Sequence, residues 1–172
     1  RILNLLNKYN GRITAEMLDK DTYNLATGEW KTVVGQYEQL EMEALRQFIT
    51  LRPEQRDAYQ QLILFPLQAM GNLYNMYYAQ AMNHRLYARN DPDANLCEAA
   101  FKRDSMLCRA YNRDISGGKW NGMMTQKHIG YTSWNDDFAH DMQPKLYRIS
   151  DTSAGGFSFV GRQGVVSMEA EH

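Results

Sequence analysis

Along most of this chain apolar residues return every three or four positions, the period of one face of an α-helix. Between Thr27 and about Leu51 the spacing is kept by Trp30, Val33, Val34, Tyr37, Leu40, Ala44, Leu45 and Phe48, while Lys31, Glu38, Glu41 and Arg46 fall on the opposite, solvated face. Pro53 stands where a helix begins, since a first turn has no use for its missing N–H. From there Tyr59, Leu62, Ile63, Pro66, Leu67, Met70, Leu73, Tyr74, Tyr77 and Ala81 carry the pattern almost to Arg89. That run predicts the longest element, kinked where Pro66 removes a backbone hydrogen bond. Asn90-Asp91-Pro92 is a turn with an N-cap and a first-turn proline. The helix it opens carries Leu96, Cys97, Ala100, Phe101, Leu107, Cys108, Tyr111 and Ile115 and stops at Ser116-Gly117-Gly118. Upstream, the run Ile2 to Leu6 reads as a short helix stopped at Asn10-Gly11, and Thr14 to Leu18 as a single turn. The pattern predicts an all-α fold, an antiparallel bundle of about five helices over residues 1–150.

Two features interrupt the alternation of apolar and charged faces. Asn72, Asn75, Met76, Ala79, Gln80 and Asn83 form a second stripe on the longest helix that is polar but uncharged, which suggests burial against another part of the protein. Asp104 lies on the apolar face of the following helix, between Phe101 and Cys108. An unpaired carboxylate there would cost several kcal/mol, so a salt bridge to Arg85 or Arg109 is expected.

Composition and charge then exclude several partner classes. At 172 residues and 44% hydrophobic the chain suits one domain with a substantial core. Its 19 Lys and Arg are interleaved with 20 Asp and Glu, which argues against a nucleic-acid backbone as partner. No apolar run is long enough for a bilayer, so no membrane partner is expected. Cys97 and Cys108 fall on one helix face but about 16 Å apart along its axis, too far for a disulfide. His128 and His140 lie near aspartates without a helical H-x-x-x-H spacing or a cysteine set, so neither a metal nor a cofactor is expected.

Chemistry concentrates in Gly117 to Trp134, where helical scaffold gives way to a glycine-rich loop. Lys119, Trp120, Asn121, Gln126, His128, Tyr131 and Trp134 combine flat apolar rings with hydrogen-bonding groups. A pyranose takes that combination, its C–H face packing on a ring and its hydroxyls meeting amides, imidazole or charges. Scaffold accounts for the same residues if the aromatics pack onto the helices and the glycines make tight turns. Further on, adjacent Asp136 and Asp137 do not form a glycosidase pair, because neighbours in sequence rarely face each other across a glycosidic bond. From Ser153 small residues and short alternating runs suggest a linker entering a β-strand.

Lys119-Trp120-Asn121-Gly122-Met123-Met124, with Gln126 and His128-Ile129-Gly130-Tyr131-Thr132-Ser133-Trp134, resembles the K-W-N-x-M-M-x-Q-x-H-I-G-Y-T-x-W signature of glycoside hydrolase family 115, the xylan α-1,2-glucuronidases. Tyr9-Asn10, the leucine-rich Tyr59 to Leu67 stretch and Asn72-Leu73-Tyr74 extend the resemblance over most of the chain. Gly122 departs from it, a bulkier residue such as histidine being expected there. The resemblance implies a secreted or periplasmic multidomain enzyme that removes glucuronic acid or its 4-O-methyl ether from xylan with inversion. An upstream (β/α)₈ barrel would carry the catalytic carboxylates and this chain would be the helical bundle after it. Residues 151–172 would then lead into the first strand of a β-sandwich. On that footing no catalytic residue falls in this chain, which alone would be inactive. His128, Tyr131, Trp134, Lys119, Trp120 and Asn121 would be the substrate-binding candidates towards glucuronoxylan or its oligosaccharides. The alternative is a purely structural or dimer-forming module of the same enzyme, a second copy of the chain being its partner.

Overall fold

The computed structural model describes residues 1–85, 91–130 and 140–149. Its α-helices are α1 (Ile2–Asn10), α2 (Glu29–Ile49), α3 (Pro53–Tyr59), α4 (Phe65–His84) and α5 (Asp91–Arg113), with 3₁₀ turns at Ala15–Met17 and Ile115–Gly118. No strand occurs among the described residues. The all-α expectation therefore holds for them. The expected last turn up to Arg89 and the linker and strand of residues 151–172 lie outside them. No helix among the described residues is long and apolar enough to cross a membrane.

Residue pairings give the direction of each helix relative to its neighbour. Arg1 meets Glu43 and Asn10 meets Tyr37, so α1 and α2 run antiparallel. Ala44 with Tyr59 and Glu41 with Gln68 set α2 against the rod that follows it. Gln61 with Tyr111 and Asn72 with Ala100 do the same for that rod and α5.

The rod is continuous from Pro53 to His84 because a π turn over Gln60–Leu64 joins α3 to α4. Pro66 explains its place. A proline inside a helix leaves one carbonyl without a donor and pushes its ring at the preceding turn. A π turn answers by lengthening the hydrogen-bonded ring, the Phe65 N–H reaching back to the Gln60 carbonyl. The irregularity expected at Pro66 thus falls just ahead of it.

The core is built on aromatic rings whose polar ends are satisfied. Trp30, Tyr37 and Tyr74 are at most 1% exposed, and the Tyr37 and Tyr74 ring centroids lie 4.6 Å apart. Trp30 donates to the Lys20 carbonyl at 3.0 Å, Tyr37 donates to Asn10 at 2.8 Å, and the Tyr23 and Tyr74 hydroxyls meet at 3.0 Å. Burial raises the pKa of Tyr37 and Tyr74 far above the ordinary phenol range, which keeps both hydroxyls protonated.

The uncharged stripe on α4 is buried, as its composition suggested, except at Asn75, which is half-buried. Asn72 donates to the Ala100 carbonyl of α5 at 2.8 Å. Gln80 and His84 meet the Lys145 carbonyl at 3.0 and 2.7 Å, and Asn83 both donates to the Tyr147 carbonyl and accepts from its N–H, each at 2.8 Å. Residues 140–149 are thereby held as a strap against α4, and Arg148 ties it to Glu98 of α5 at 2.6 Å.

Close approach of α2 and α4 is possible because Gly71 faces Tyr37, where an added Cβ would sit 3.3 Å from the Tyr37 Cβ. Gly35, inside α2, faces open space. Gly71→Val should therefore cost about 1–3 kcal/mol by overpacking, whereas Gly35→Ala should gain up to about 1 kcal/mol from helix propensity. Urea unfolding of the two variants checks the opposite signs.

Candidate functional site

Helix α5 presents Asp104, Cys108 and Asn112 at intervals of four, one stripe of a helix surface, and Ser105, Arg109 and Arg113 on the stripe beside it. Opposite lies the glycine-rich loop. Asn112 fixes it by donating to the Met124 carbonyl at 2.8 Å and accepting from the Met124 N–H at 2.9 Å. The loop leaves α5 through Ser116, Gly117 and Gly118, all with positive φ, a reversal that serine adopts at some cost in strain.

At the far end the loop is held by charge. His128 Nε2 lies 2.9 Å from Asp104 Oδ1, and its Nδ1 lies 3.0 Å from the Gln126 carbonyl. Asp141, from the strap, accepts the backbone N–H groups of His128 and Ile129 at 2.7 and 2.8 Å. Gly130 then lets the loop and strap touch, because a Cβ there would stand 2.6 Å from that of Met142. Asp104 is 2% exposed, so its charge needs a partner. The partner is His128, across 24 residues, and not Arg85 or Arg109 as expected from the sequence. The Asp104 stripe faces the returning loop, which brings His128 to it.

The pair shifts the histidine strongly. The hydrogen bond that His128 donates to Asp104, outweighing burial, raises the His128 pKa to about 9, so the imidazole is charged at neutral pH. Burial pushes the neighbouring Cys108 thiol up to about 12, and the Asp104 and Asp141 carboxylates add to it. Cys97 and Cys108 are both free, in line with their spacing along α5.

Helix and loop enclose a cleft of about 350 Å³ lined by Asp104, Ser105, Cys108, Arg109, Asn112, Arg113, Asn121, Met124, Thr125, Gln126, His128 and Asp141. Of the candidates singled out in the sequence, His128 and Asn121 line it. Lys119 and Trp120 do not, and they face each other with the ammonium 5.0 Å from the ring centroid. The buried Trp120 Nε1 has no hydrogen-bond partner among the described residues. Tyr131, Trp134, Asp136 and Asp137 lie outside the described residues. Gly122, the departure from the family signature, has φ +88° and open space about it. A side chain would be strained in that backbone conformation but would meet no neighbour.

Sequence reasoning passed over Arg109 and Arg113 as site residues, treating one only as a partner for Asp104. Both are exposed, line the cleft and pair with no described residue. Their four-residue spacing on α5 was the available signal. Asp104, Cys108 and His128 place one potential metal-ligating atom each within 4.8 Å of one another, a grouping that no spacing rule along the chain detects.

A histidine whose folded pKa is raised stabilises the fold below its unfolded value near 6.5, and that contribution disappears as pH rises through about 9. His128→Gln should therefore be less stable than wild type by about 3 kcal/mol near pH 6, where the mutation strands a buried carboxylate. The gap should narrow by about pH 10, where the wild-type imidazole is neutral as well. Urea unfolding across this range, with a chelator present, reads the difference.

Neither the protein-family models nor the curated proteins compared with this chain match it.

Proposed function

We propose that this chain is the helical domain of a xylan α-1,2-glucuronidase, an inverting glycoside hydrolase, and that its Gly117 to Trp134 loop borders the cleft that receives the glucuronic acid unit. Besides the motif resemblance, one observation carries this reading. Beside the motif lies a cleft of about 350 Å³ whose lining offers two arginines without a described ion-pair partner and the amides of Asn121 and Gln126. A uronic acid brings a carboxylate that guanidinium groups match, and hydroxyls that amides match. Arg109 and Arg113 join the earlier candidates as its partners.

The two carboxylates of inverting hydrolysis belong, on this reading, to an upstream (β/α)₈ barrel. Residues 151–172 lead into a β-sandwich, completing the antiparallel bundle's place between two other domains of a secreted or periplasmic enzyme. A second reading, that the loop is scaffold or a dimer contact, is favoured at one point. His128 uses both ring nitrogens inside the protein, which suits a residue that positions the loop more than one that touches sugar.

The test uses the complete enzyme. Arg113→Ala and Asn121→Ala change exposed residues and should lower the melting temperature by no more than the small loss expected when Arg113 leaves the last turn of α5. Under the first reading each lowers kcat/KM on glucuronoxylan oligosaccharides at least tenfold, about 1.4 kcal/mol, and under the second neither does. The 172-residue chain alone should release no glucuronic acid; release above a no-enzyme control would refute the domain assignment.

A further inference from the structure

Three donor atoms of different chemistry converge in the cleft: a carboxylate oxygen of Asp104, Cys108 Sγ and a ring nitrogen of His128, all within 4.8 Å of one another. Asp104 and Cys108 are one turn apart on a rigid helix, and His128 is delivered by a loop that Asn112 and Asp141 hold on either side. We propose that Asp104, Cys108 and His128 form a zinc-binding site with its fourth coordination position open to the cleft.

Donor chemistry selects the ion. A thiolate disfavours magnesium and calcium, which take oxygen, while a mixed set of one sulfur, one nitrogen and one oxygen suits zinc in tetrahedral geometry. Distances fit with little movement. Two ligands about 2.0–2.1 Å from a tetrahedral ion stand about 3.3 Å apart, and Asp104 Oδ1 and His128 Nε2 are now 2.9 Å apart. A few tenths of an ångström of side-chain rotation admits the ion between them.

His128 also carries the outer support that ligating histidines use. Its Nδ1 lies 3.0 Å from the Gln126 carbonyl, so the proton rests on Nδ1 and the Nε2 lone pair is left for the metal. Asp104 is nearly fully buried and cannot be served by water alone. One carboxylate, one thiolate and a neutral imidazole around Zn²⁺ sum to no net charge, the thiol and imidazolium protons leaving to solvent as the ion enters. Three protein ligands with an open position is the coordination of zinc sites that bind an exchangeable water or anion, as opposed to closed structural sites. Arg109 and Arg113 flank that opening, which favours an anionic fourth ligand. Zinc binding here is independent of the glucuronidase reading, and either can fail alone.

Reduced, chelator-stripped, tag-free 172-residue chain should bind Zn²⁺ one-to-one by calorimetry, with a higher melting temperature in its presence. Co²⁺ in place of zinc should give a thiolate-to-cobalt charge-transfer band in the near ultraviolet and the visible bands of a tetrahedral centre. Cys108→Ser keeps the Asp104 to His128 ion pair and hence the fold; it should abolish the charge-transfer band and weaken zinc binding at least tenfold. Absence of saturable one-to-one binding by wild type overturns the proposal and leaves an ion pair only. So does a charge-transfer band that survives in Cys108→Ser, and so does an unchanged affinity in that variant.

Discussion

A chain that leaves its helices and returns to lie against them must find a partner for each backbone N–H and C=O that it buries, and this constraint organises the described residues after α5. No sheet is available among the described residues, so side chains on the helices do the work. Asn112 gives both its donor and its acceptor to Met124, and Asn83 does the same for Tyr147. Each amide stands in for a neighbouring strand. Asp141 completes the set by accepting two successive N–H groups of the loop, so that strap and loop satisfy one another. The polarity of the α4 stripe follows: an apolar residue at Asn72, Gln80 or Asn83 would pack but would strand a carbonyl, at a cost of about 1–3 kcal/mol each.

Against this neutral framework the Asp104 to His128 pair is a different kind of contact. Amide clamps hold their geometry at any ordinary pH, whereas an ion pair with one titrating member holds most tightly only while that member is charged. A buried pair is also weak evidence for stability, since desolvation offsets much of its attraction. Its retention at the floor of an open cleft, with a thiol beside it, is easier to understand as chemistry than as glue. A leucine and a methionine in the same space would pack without any desolvation penalty.

How much of this could be read from the sequence depended on the range of the interaction. Helices α2, α4 and α5 were legible because Trp30, Tyr37, Leu67, Tyr74 and Cys97 keep a 3.6-residue period that reports one buried face. Burial of the amide stripe was legible for a similar reason, as an uncharged polar face on a helix needs a protein partner more often than a charged one does. The partner itself was not legible. Nothing local to Asn83 points to Tyr147, and nothing local to Asp104 points to His128, while Arg85 and Arg109 offer opposite charges that suggest a different partner. The π turn was half legible: Pro66 announces a broken hydrogen bond, but whether a helix kinks or widens depends on what packs against it. Of the loop candidates, His128 and Asn121 were found at the cleft because polar residues among glycines mark a surface loop. Arg109 and Arg113 were missed because a charge on the solvated side of a helix looks the same whether or not a loop later folds over it.

Arg113 alone has a sufficient structural reason to be where it is, since a cation in the last turn of α5 meets the negative end of the helix dipole. Arg109 is one turn further in, where that interaction has fallen away, and no described carboxylate pairs with it. It follows Cys108 in sequence, is exposed and lines the cleft. Long cations on a helix surface normally find an i+4 acid or spread into solvent along an apolar patch. Here the surface across from Arg109 is another polar wall, and the residue four positions ahead is Arg113, a like charge that disfavours the arrangement by a few tenths of a kcal/mol in the free protein. An anion lying between the two guanidinium groups reverses that sign. Both proposals, a uronate in the cleft and a zinc ion with an open ligand position, would bring negative charge to the mouth of the cleft, where Arg109 and Arg113 are two like charges at a four-residue helical spacing.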